Sequence, residues 1–548
     1  MNKFWIPLIG IPFVFIAGIK IKSMLPEYVL TPEVAIYRYV FILGIGFLIG
    51  VSLFLFLIEN KDVCYKHFKN IEIFFKNNEK KFLSSMVLSI LSLYSIVLLC
   101  KYYSHHYKFF DFGIYDHKIW MISIAPFWKE RFKIICSGHF QPILFIYAFL
   151  YKILDTPLWL IFLQLIAVIS GIIPLYLIGK EKLKDEPFLR IGVIILYLLY
   201  PPVAFNIFCD FHPDHLYIPI FLWVLYFIEK ENYKLMFLLL GITCCIKEPF
   251  ILGGAVVGIY LILKKKEYLK GGLLFIFFFL FFLIITFKIL PFLSGTSKSV
   301  LESHDFSYLK NRSFLEIFKS ICSFSKLKFI FYVMYPFLFL LIFTWQEFIL
   351  SLPFLLIPLL SFNPQHQNVA SHYTAGLIPA FFFTLVVLLA KLLKDLDRYI
   401  VNSLMVWMLF LTLVLNISHS PLPLSVAFWN KKWSFGEWHY TNYIKTKHAK
   451  LLEEAVFLIP EDPQIKVVTH SEFYFKSLAR HYFYYPFPQK WKKADYIILD
   501  NKATPVLVDK IVKSDQYFSV FKTIVNSGIF KIIFDKDGIF LLQAKKLK

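Results

Sequence analysis

The chain has 548 residues, 58% of them apolar, 20% aromatic and only 17% charged, with a mean hydropathy of +0.63. Soluble domains hold about 45–50% apolar and about 25% charged residues, so the composition excludes an ordinary soluble protein, a disordered chain and a coiled coil. The formal net charge of +21 falls largely on lysines between apolar runs, where they set topology and meet anionic headgroups; with no zinc-finger spacing, RNP-like block or basic heptads, nucleic acid is not an expected partner.

A helical span takes about 20 mostly apolar residues, and the chain offers about thirteen such runs. The first, 4–21, is followed by no small-residue cleavage site and reads as an uncleaved span. Next come 35–58 and 82–100, separated by the lysine-rich segment 59–81. Residues 159–179 and 189–208 follow, then the shorter or proline-bounded runs 214–228, 235–246 and 249–263. The Phe-rich run 271–293 reads as lipid-facing bulk, and 327–344, 346–361, 374–394 and 399–417 complete the series. Backbone in lipid must satisfy its own hydrogen bonds, so these are helices and not strands. Arg38 in the second run is expected to snorkel or pair locally.

Basic turns at 59–81, 180–184, 264–270 and 391–398 fix the orientation. The positive-inside rule places all four in the cytoplasm, with the N-terminus cytoplasmic and the C-terminus on the outer face of the cell membrane. That arrangement requires 140–153 not to cross, and its length suits a helix lying in the outer leaflet. Near residue 430 the long apolar runs give way to short ones bounded by Pro, Asp and Gly, which read as buried strands. The expected division is therefore a multi-span domain, 1–429, and an extracytoplasmic α/β domain, 430–548. Seven scattered cysteines (Cys64, Cys100, Cys136, Cys209, Cys244, Cys245 and Cys322), with no CxxC, argue against a disulfide framework or a structural zinc site.

With this topology the unusual ionisable groups fall at one level. FDFGIYDHKIW carries Asp111 and Asp116, and GHFQP carries His139. CDFHPDH carries Asp210 and His212, the end of a short run carries Lys247 and Glu248, and SHY carries His372 and Tyr373. Charged groups at membrane depth are costly and line functional cavities. Each has a plainer reading. Asp111 suits a helix cap, Asp116 a partner of Lys118 or of a distant Arg, and His139 a loop anchor. Asp210 with His212 suits a structural pair, Lys247 with Glu248 an ion pair, and His372 with Tyr373 an interfacial anchor. A carboxylate can act as general base toward a hydroxyl, while Lys, His or a divalent cation can stabilise a departing phosphate. That combination suits transfer of a group from a lipid-phosphate donor.

The order of these motifs, with IPAF at 378–381, SPLP at 420–423, His470-Ser471 and Tyr485-Pro486, resembles a family of predicted polytopic membrane proteins. It is number two-thousand-seventy-nine in the domain-of-unknown-function series, and the likeness covers residues 100–500. The family is in turn similar to the GT-C glycosyltransferase superfamily. The resemblance implies a GT-C-like multi-span fold, a polyprenyl-phosphate-linked sugar donor and an extracytoplasmic acceptor. Asp111 and Asp116 match the acidic positions of the first outer loop and become the catalytic candidates. Lys247, His212, His372 and Tyr373 become candidates for the donor phosphate, with Lys298, Lys310 and Arg312 as further basic groups in an outer loop. Asp210, His139 and Glu248 become candidates for a divalent cation, Mg or Mn. Pro249 stands where the family has an acidic residue, which weakens a full metal shell. A transporter or lipid flippase, with ionisable groups on broken helices in matching halves, and a non-catalytic envelope scaffold are the alternatives.

Overall fold

The computed structural model describes residues 32–294, 306, 312–430, 438–502 and 514–545; the expected span 4–21 and Lys298 and Lys310 lie outside them. Two long helices open the fold, α1 (Pro32–Glu59) and α2 (Lys61–Tyr103). The 43 residues of α2 would extend about 65 Å at 1.5 Å per residue, twice the hydrocarbon thickness of a bilayer. Only its C-terminal part is uniformly apolar, so its lysine-rich first half belongs outside the hydrocarbon. There follow α3 (Ile114–Ile124), α4 (Leu144–Ile153), α5 (Leu158–Ser170), α6 (Ile172–Lys182), α7 (Pro187–Leu199) and α8 (Pro201–Phe208). Next are α9 (Tyr217–Glu229), α10 (Tyr233–Cys244), α11 (Ile251–Tyr260) and α12 (Tyr268–Ile284). The helical part closes with α13 (Leu377–Asp395) and α14 (Arg398–Ser418).

Among the described residues seven helical stretches are long and apolar enough to cross a membrane, or eight if the bent pair α7–α8 is one span. Several of the other expected runs depart from a single long helix for local reasons. The runs 214–228, 235–246 and 249–263 carry α-helices of 13, 12 and 10 residues, the first preceded by the 3₁₀ turn Pro213–Leu216 and the last flanked by the turns Glu248–Phe250 and Leu261–Lys265, and none is by itself among the long apolar stretches. The run 327–344 ends its α-helix at Met334, where Tyr335-Pro336 begins a 3₁₀ turn and Leu338 and Phe339 take left-handed backbone. Pro201 bends α7–α8 by 46°, because proline removes an intrahelical donor and restricts the residue before it. The ten-residue α4 covers about 15 Å, half the hydrocarbon. Helices α11 and α12 touch backbone to backbone: a Cβ on Gly258 would lie 2.5 Å from the Gly271 carbonyl oxygen, and one on Gly271 2.6 Å from that of Gly258. Small residues at such crossings let apolar helices pack where water supplies no driving force.

The basic segments gather at one end of the helices, cross-linked by acidic partners. Lys61 pairs with Asp397 at 2.6 Å, Arg398 with Glu186 and Glu72 at 2.6 and 3.1 Å, and Arg190 with Glu79 at 2.8 Å. The polar motifs sit at the other end: α13 begins just after His372 and ends at Lys394-Asp395.

The C-terminal part is a five-stranded mixed sheet in the order β2-β1-β3-β5-β4. Its strands are β1 (Lys466–Thr469), β2 (Phe483–Pro486), β3 (Tyr496–Asp500), β4 (Phe530–Lys536) and β5 (Ile539–Ala544). Strands β1/β2 and β1/β3 are parallel, while β3/β5 and β4/β5 are antiparallel. Alternating side chains use both faces. Val467, Ile498 and Leu541 join the main helical core, whereas Val468, Ile497, Leu499 and Leu542 pack on the opposite face with Ile524. Two helices flank the sheet, α15 (Lys447–Phe457) and α16 (Ser514–Asn526).

The sheet part is fastened to the loop end of the helices by a buried charge. Asp116, on α3 and fully inaccessible, pairs with Arg480 at 2.7 Å and accepts hydrogen bonds from the hydroxyls of Tyr151 and Tyr474, both at 2.7 Å. Arg480 also holds Asp155 at 2.7 Å. Around this pair, Lys108 meets Glu472 at 3.2 Å, the Phe109 amide donates to the Ser471 carbonyl at 3.0 Å, and His117 bonds the Ala479 carbonyl at 2.9 Å.

Removing one partner of a buried ion pair costs about 3–5 kcal/mol, because the other charge stays desolvated. Arg480→Met is expected to destabilise the chain by that amount in unfolding titrations in mixed micelles, and Asp116→Leu with Arg480→Met together by less than the sum of the singles. Strict additivity would show that the two residues do not act as a pair. A second expectation concerns His448 on α15, which bridges Asp500 and Asp537, both at 2.8 Å. Burial disfavours its charge, but hydrogen bonds to the two carboxylates outweigh that and raise its pKa above the ordinary histidine value. A raised folded-state pKa gives stability that is present below the unfolded value, about 6.5, and lost as pH rises through the folded one. Melting temperature should therefore fall with rising pH above that range, and His448→Gln should flatten the profile; an unchanged profile in the variant would exclude His448 as its source.

Candidate functional site

The site is built at the loop end from three returns of the chain. The first is a tight turn, Phe109–Gly113, just before α3, with non-helical backbone at Phe110 and Asp111, closed by the Gly113 amide donating to the Lys108 carbonyl at 3.1 Å. Within it Asp111 has φ 66° and ψ −77°, a sparsely populated corner of backbone space that costs about 1–3 kcal/mol. Strained residues of this kind concentrate at functional sites. The turn is held from both sides: Phe112 stacks on Tyr107 at 4.2 Å and meets Tyr474 edge-on at 4.9 Å. Its effect is to lift the Asp111 carboxylate outward, where 53% of the side chain is exposed.

The second return is the loop after α8. Gln164 on α5 donates to the carbonyls of Ile207 and Cys209, both at 3.2 Å. Asp210 is held by Lys101 at 3.0 Å and by the Lys108 amide at 3.1 Å. Thus anchored, the loop presents His212 with Nε2 3.4 Å from Asp111 Oδ1. His212 lies against Tyr115 at 5.2 Å and stacks on His372 from the third return, with centroids 3.4 Å apart and planes at 17°. Burial opposes a charged His212, yet Asp111 and Asp214 together raise its pKa above the ordinary value. Asp214 lies below the stacked rings, 3.7 Å from His372 Nε2 and 3.4 Å from Lys247 Nζ. Burial also works against the Lys247 ammonium, and Asp214 more than offsets it. Tyr373 faces the same ammonium, with Nζ 5.8 Å from its ring centre. Asp111, His212, His372, Asp214 and Lys247 thus form one continuous chain of contacts from the surface inward. Within it Asp214 Oδ1 and His372 Nε2 have no hydrogen-bond partner among the described residues.

The structure brings together six of the expected residues: Asp111, His212, His372, Tyr373 and Lys247, with Glu248 next in sequence. Glu248 pairs with His139 at 2.7 Å and accepts from the Phe140 amide at 3.2 Å. Burial would raise its pKa, but His139 and Lys247 hold it below the usual carboxylate range. Asp116 faces away from this chain into the Arg480 pair. Lys118 is likewise taken up elsewhere, donating to the carbonyls of Ile135 and Ser137 at 3.3 and 3.1 Å; burial pushes its pKa down to about 8. Arg312 is exposed and pairs with Glu316 at 3.3 Å. Asp210, His139 and Glu248 are committed to two separate ion pairs. No group of three or more His, Cys, Asp or Glu among the described residues is arranged to hold a metal.

Asp214, Lys101, Arg480 and Tyr474 were missed by sequence reasoning. Asp214 stands two residues after His212 in the quoted motif, so its position was a signal. Lys101 directly follows the apolar run 82–100.

The sequence profile of the family described as Predicted membrane protein (DUF2079) matches residues 101–540. The chain belongs to this family. The matched region runs from the end of α2 into β5, the last strand in the chain, so it contains every residue of the site. Comparisons with curated proteins and with solved structures return no match.

Because the Asp111 backbone is strained, Asp111→Gly should raise stability by about 1 kcal/mol, while Asp111→Asn, nearly the same shape and under the same backbone strain, should leave it nearly unchanged. Unfolding titrations of both variants test this. Destabilisation by the glycine would mean that the carboxylate itself holds the turn.

Proposed function

We propose that this family member is a membrane glycosyltransferase of GT-C type, moving a sugar from a polyprenyl-phosphate donor to a lipid, glycan or protein acceptor outside the cytoplasm. The observation that carries the reading is the half-exposed Asp111 carboxylate on a strained turn, backed by His212 and, deeper, by Lys247. An acceptor hydroxyl meeting Asp111 loses its proton to the carboxylate as its oxygen attacks the anomeric carbon. The bond from that carbon to the donor phosphate breaks, and the phosphate leaves toward His212 and Lys247, which supply positive charge in a water-poor setting. His372 and Tyr373 orient those two groups. Asp116 serves the reaction at one remove, by fixing α3 and the turn that carries Asp111. A donor of this kind keeps its tail in the bilayer and its phosphate at the depth of these residues. No step passes through a metal. In this reading the basic helix ends lie in the cytoplasm of the cell membrane, and the sheet part covers the site from outside.

The bend of 46° between α7 and α8 is the one feature that favours the transporter or flippase reading, since broken helices bind substrates in transporters. Mass spectrometry of lipid extracts from wild-type cells, a deletion strain and the deletion complemented with Asp111→Asn separates the readings. A polyprenyl-phosphate sugar is expected to accumulate in the last two only. An Asp111→Asn strain indistinguishable from wild type would remove Asp111 as the base, and unchanged lipids throughout would favour transport or scaffolding.

A further inference from the structure

At the helix ends opposite Asp111, a cavity of about 300 Å³ opens between α6, the turn after α11, and α13. Four lysines line it: Lys182, Lys264, Lys391 and Lys394. Two carboxylates answer part of this charge. Glu229 pairs with Lys182 and, at 3.3 Å, with Lys265, and the buried Glu347 pairs with Lys264 at 3.0 Å. Lys391 and Lys394, one helical turn apart on α13, have no carboxylate within ion-pair reach among the described residues, and the concavity keeps a net positive charge. Its floor is polar: Gln346 accepts from Lys264 at 3.2 Å and donates to the Leu263 carbonyl at 3.4 Å. Its rim is apolar, with Phe343 and Trp345 70% and 55% exposed.

Lysines that serve only to set topology need no concavity, no polar floor and no aromatic rim. Here the cations converge on a volume at the small end of ligand pockets, beside an exposed tryptophan of the kind that marks the membrane–water boundary. We infer that this cavity binds a phosphate ester, held by Lys391, Lys394 and Lys264. Two sources share that chemistry: the headgroup of an anionic bilayer lipid, whose acyl chains would lie along Phe343 and Trp345, and a soluble phosphate compound. The site is about 28 Å from the Asp111 cluster, the length of the 19-residue α13 at 1.5 Å per residue. It stands independently of the transferase reading.

The test uses the purified full chain in neutral detergent, with phosphatidylglycerol, phosphatidylcholine and inorganic phosphate as probes, read by native mass spectrometry and by thermal unfolding. Wild type should bind phosphatidylglycerol in preference to phosphatidylcholine. Lys391→Gln with Lys394→Gln should weaken that binding about tenfold or more, the loss expected from two lysines near an anionic headgroup. Lys80→Gln with Lys81→Gln, at the same basic end but outside the cavity, should change it less than twofold. Saturable protection by inorganic phosphate, lost in the same cavity variant, would support the site with a soluble ligand as its source. Equal lipid and phosphate binding by wild type and cavity variant, with unchanged melting of the unliganded protein, would overturn it.

Discussion

A single buried carboxylate, Asp116, governs how the two parts of this molecule meet. It lies on α3, 364 residues before the arginine that neutralises it. Without Arg480 it would be an unpaired charge in a water-poor layer, which proteins avoid at almost any structural cost. Satisfying it brings the sheet part down onto the loops, because Tyr474 and Arg480 both come from the connection between β1 and β2. Once that connection is seated, the contacts of Ser471, Glu472 and Ala479 with the turn and α3 follow within a few residues. The turn that carries Asp111 is thus clamped between the helical core and the sheet.

The same dependence explains what was legible in the sequence. Long uninterrupted apolar runs such as 271–293 and 399–417 translate directly into helices, because composition alone determines whether a segment can satisfy its backbone inside lipid. Hydropathy does not register bends. The runs 327–344 and 189–208 read as whole spans, yet Pro336 and Pro201 divide them. The short strands were legible as apolar runs bounded by turn residues, and the alternation of Val467 with Val468 shows why: both faces of the sheet are covered, so β1 reads as continuously apolar.

The site was legible as a set of residues but not as a geometry. Asp111, His212, Lys247 and His372 stood out because each is an ionisable group beside an apolar run, which is a local property. Their roles depend on partners in other segments, which no local pattern reveals. Asp116 looked equivalent to Asp111, being one turn away with similar neighbours, and the difference between them comes entirely from tertiary contacts: one is sealed against Arg480, the other is turned outward by its backbone. Asp210 and Glu248 looked like metal ligands for the same reason, since a carboxylate beside a histidine is ambiguous until its cationic partner is known. Lys101 and His139 are those partners.

The polarity of the helices connects the two ends of the molecule. Helices α11 and α13 each begin beside the Asp111–Lys247 chain of contacts and end at the lysine-lined cavity, so a rigid-body tilt of either would alter both. The Gly258–Gly271 contact leaves little room for α11 to tilt alone, since the backbones of α11 and α12 already touch. Helix α13 is buried along most of its length, yet its last two turns carry Lys391 and Lys394, which have no carboxylate within ion-pair reach among the described residues. Charge neutralisation at that end would therefore act on the element that starts next to His372. Two sites joined by one stiff helix are a physical basis for coupling only if the helix has two arrangements. Close packing at the glycine contact and around α13 argues that the scaffold between the sites is stiff.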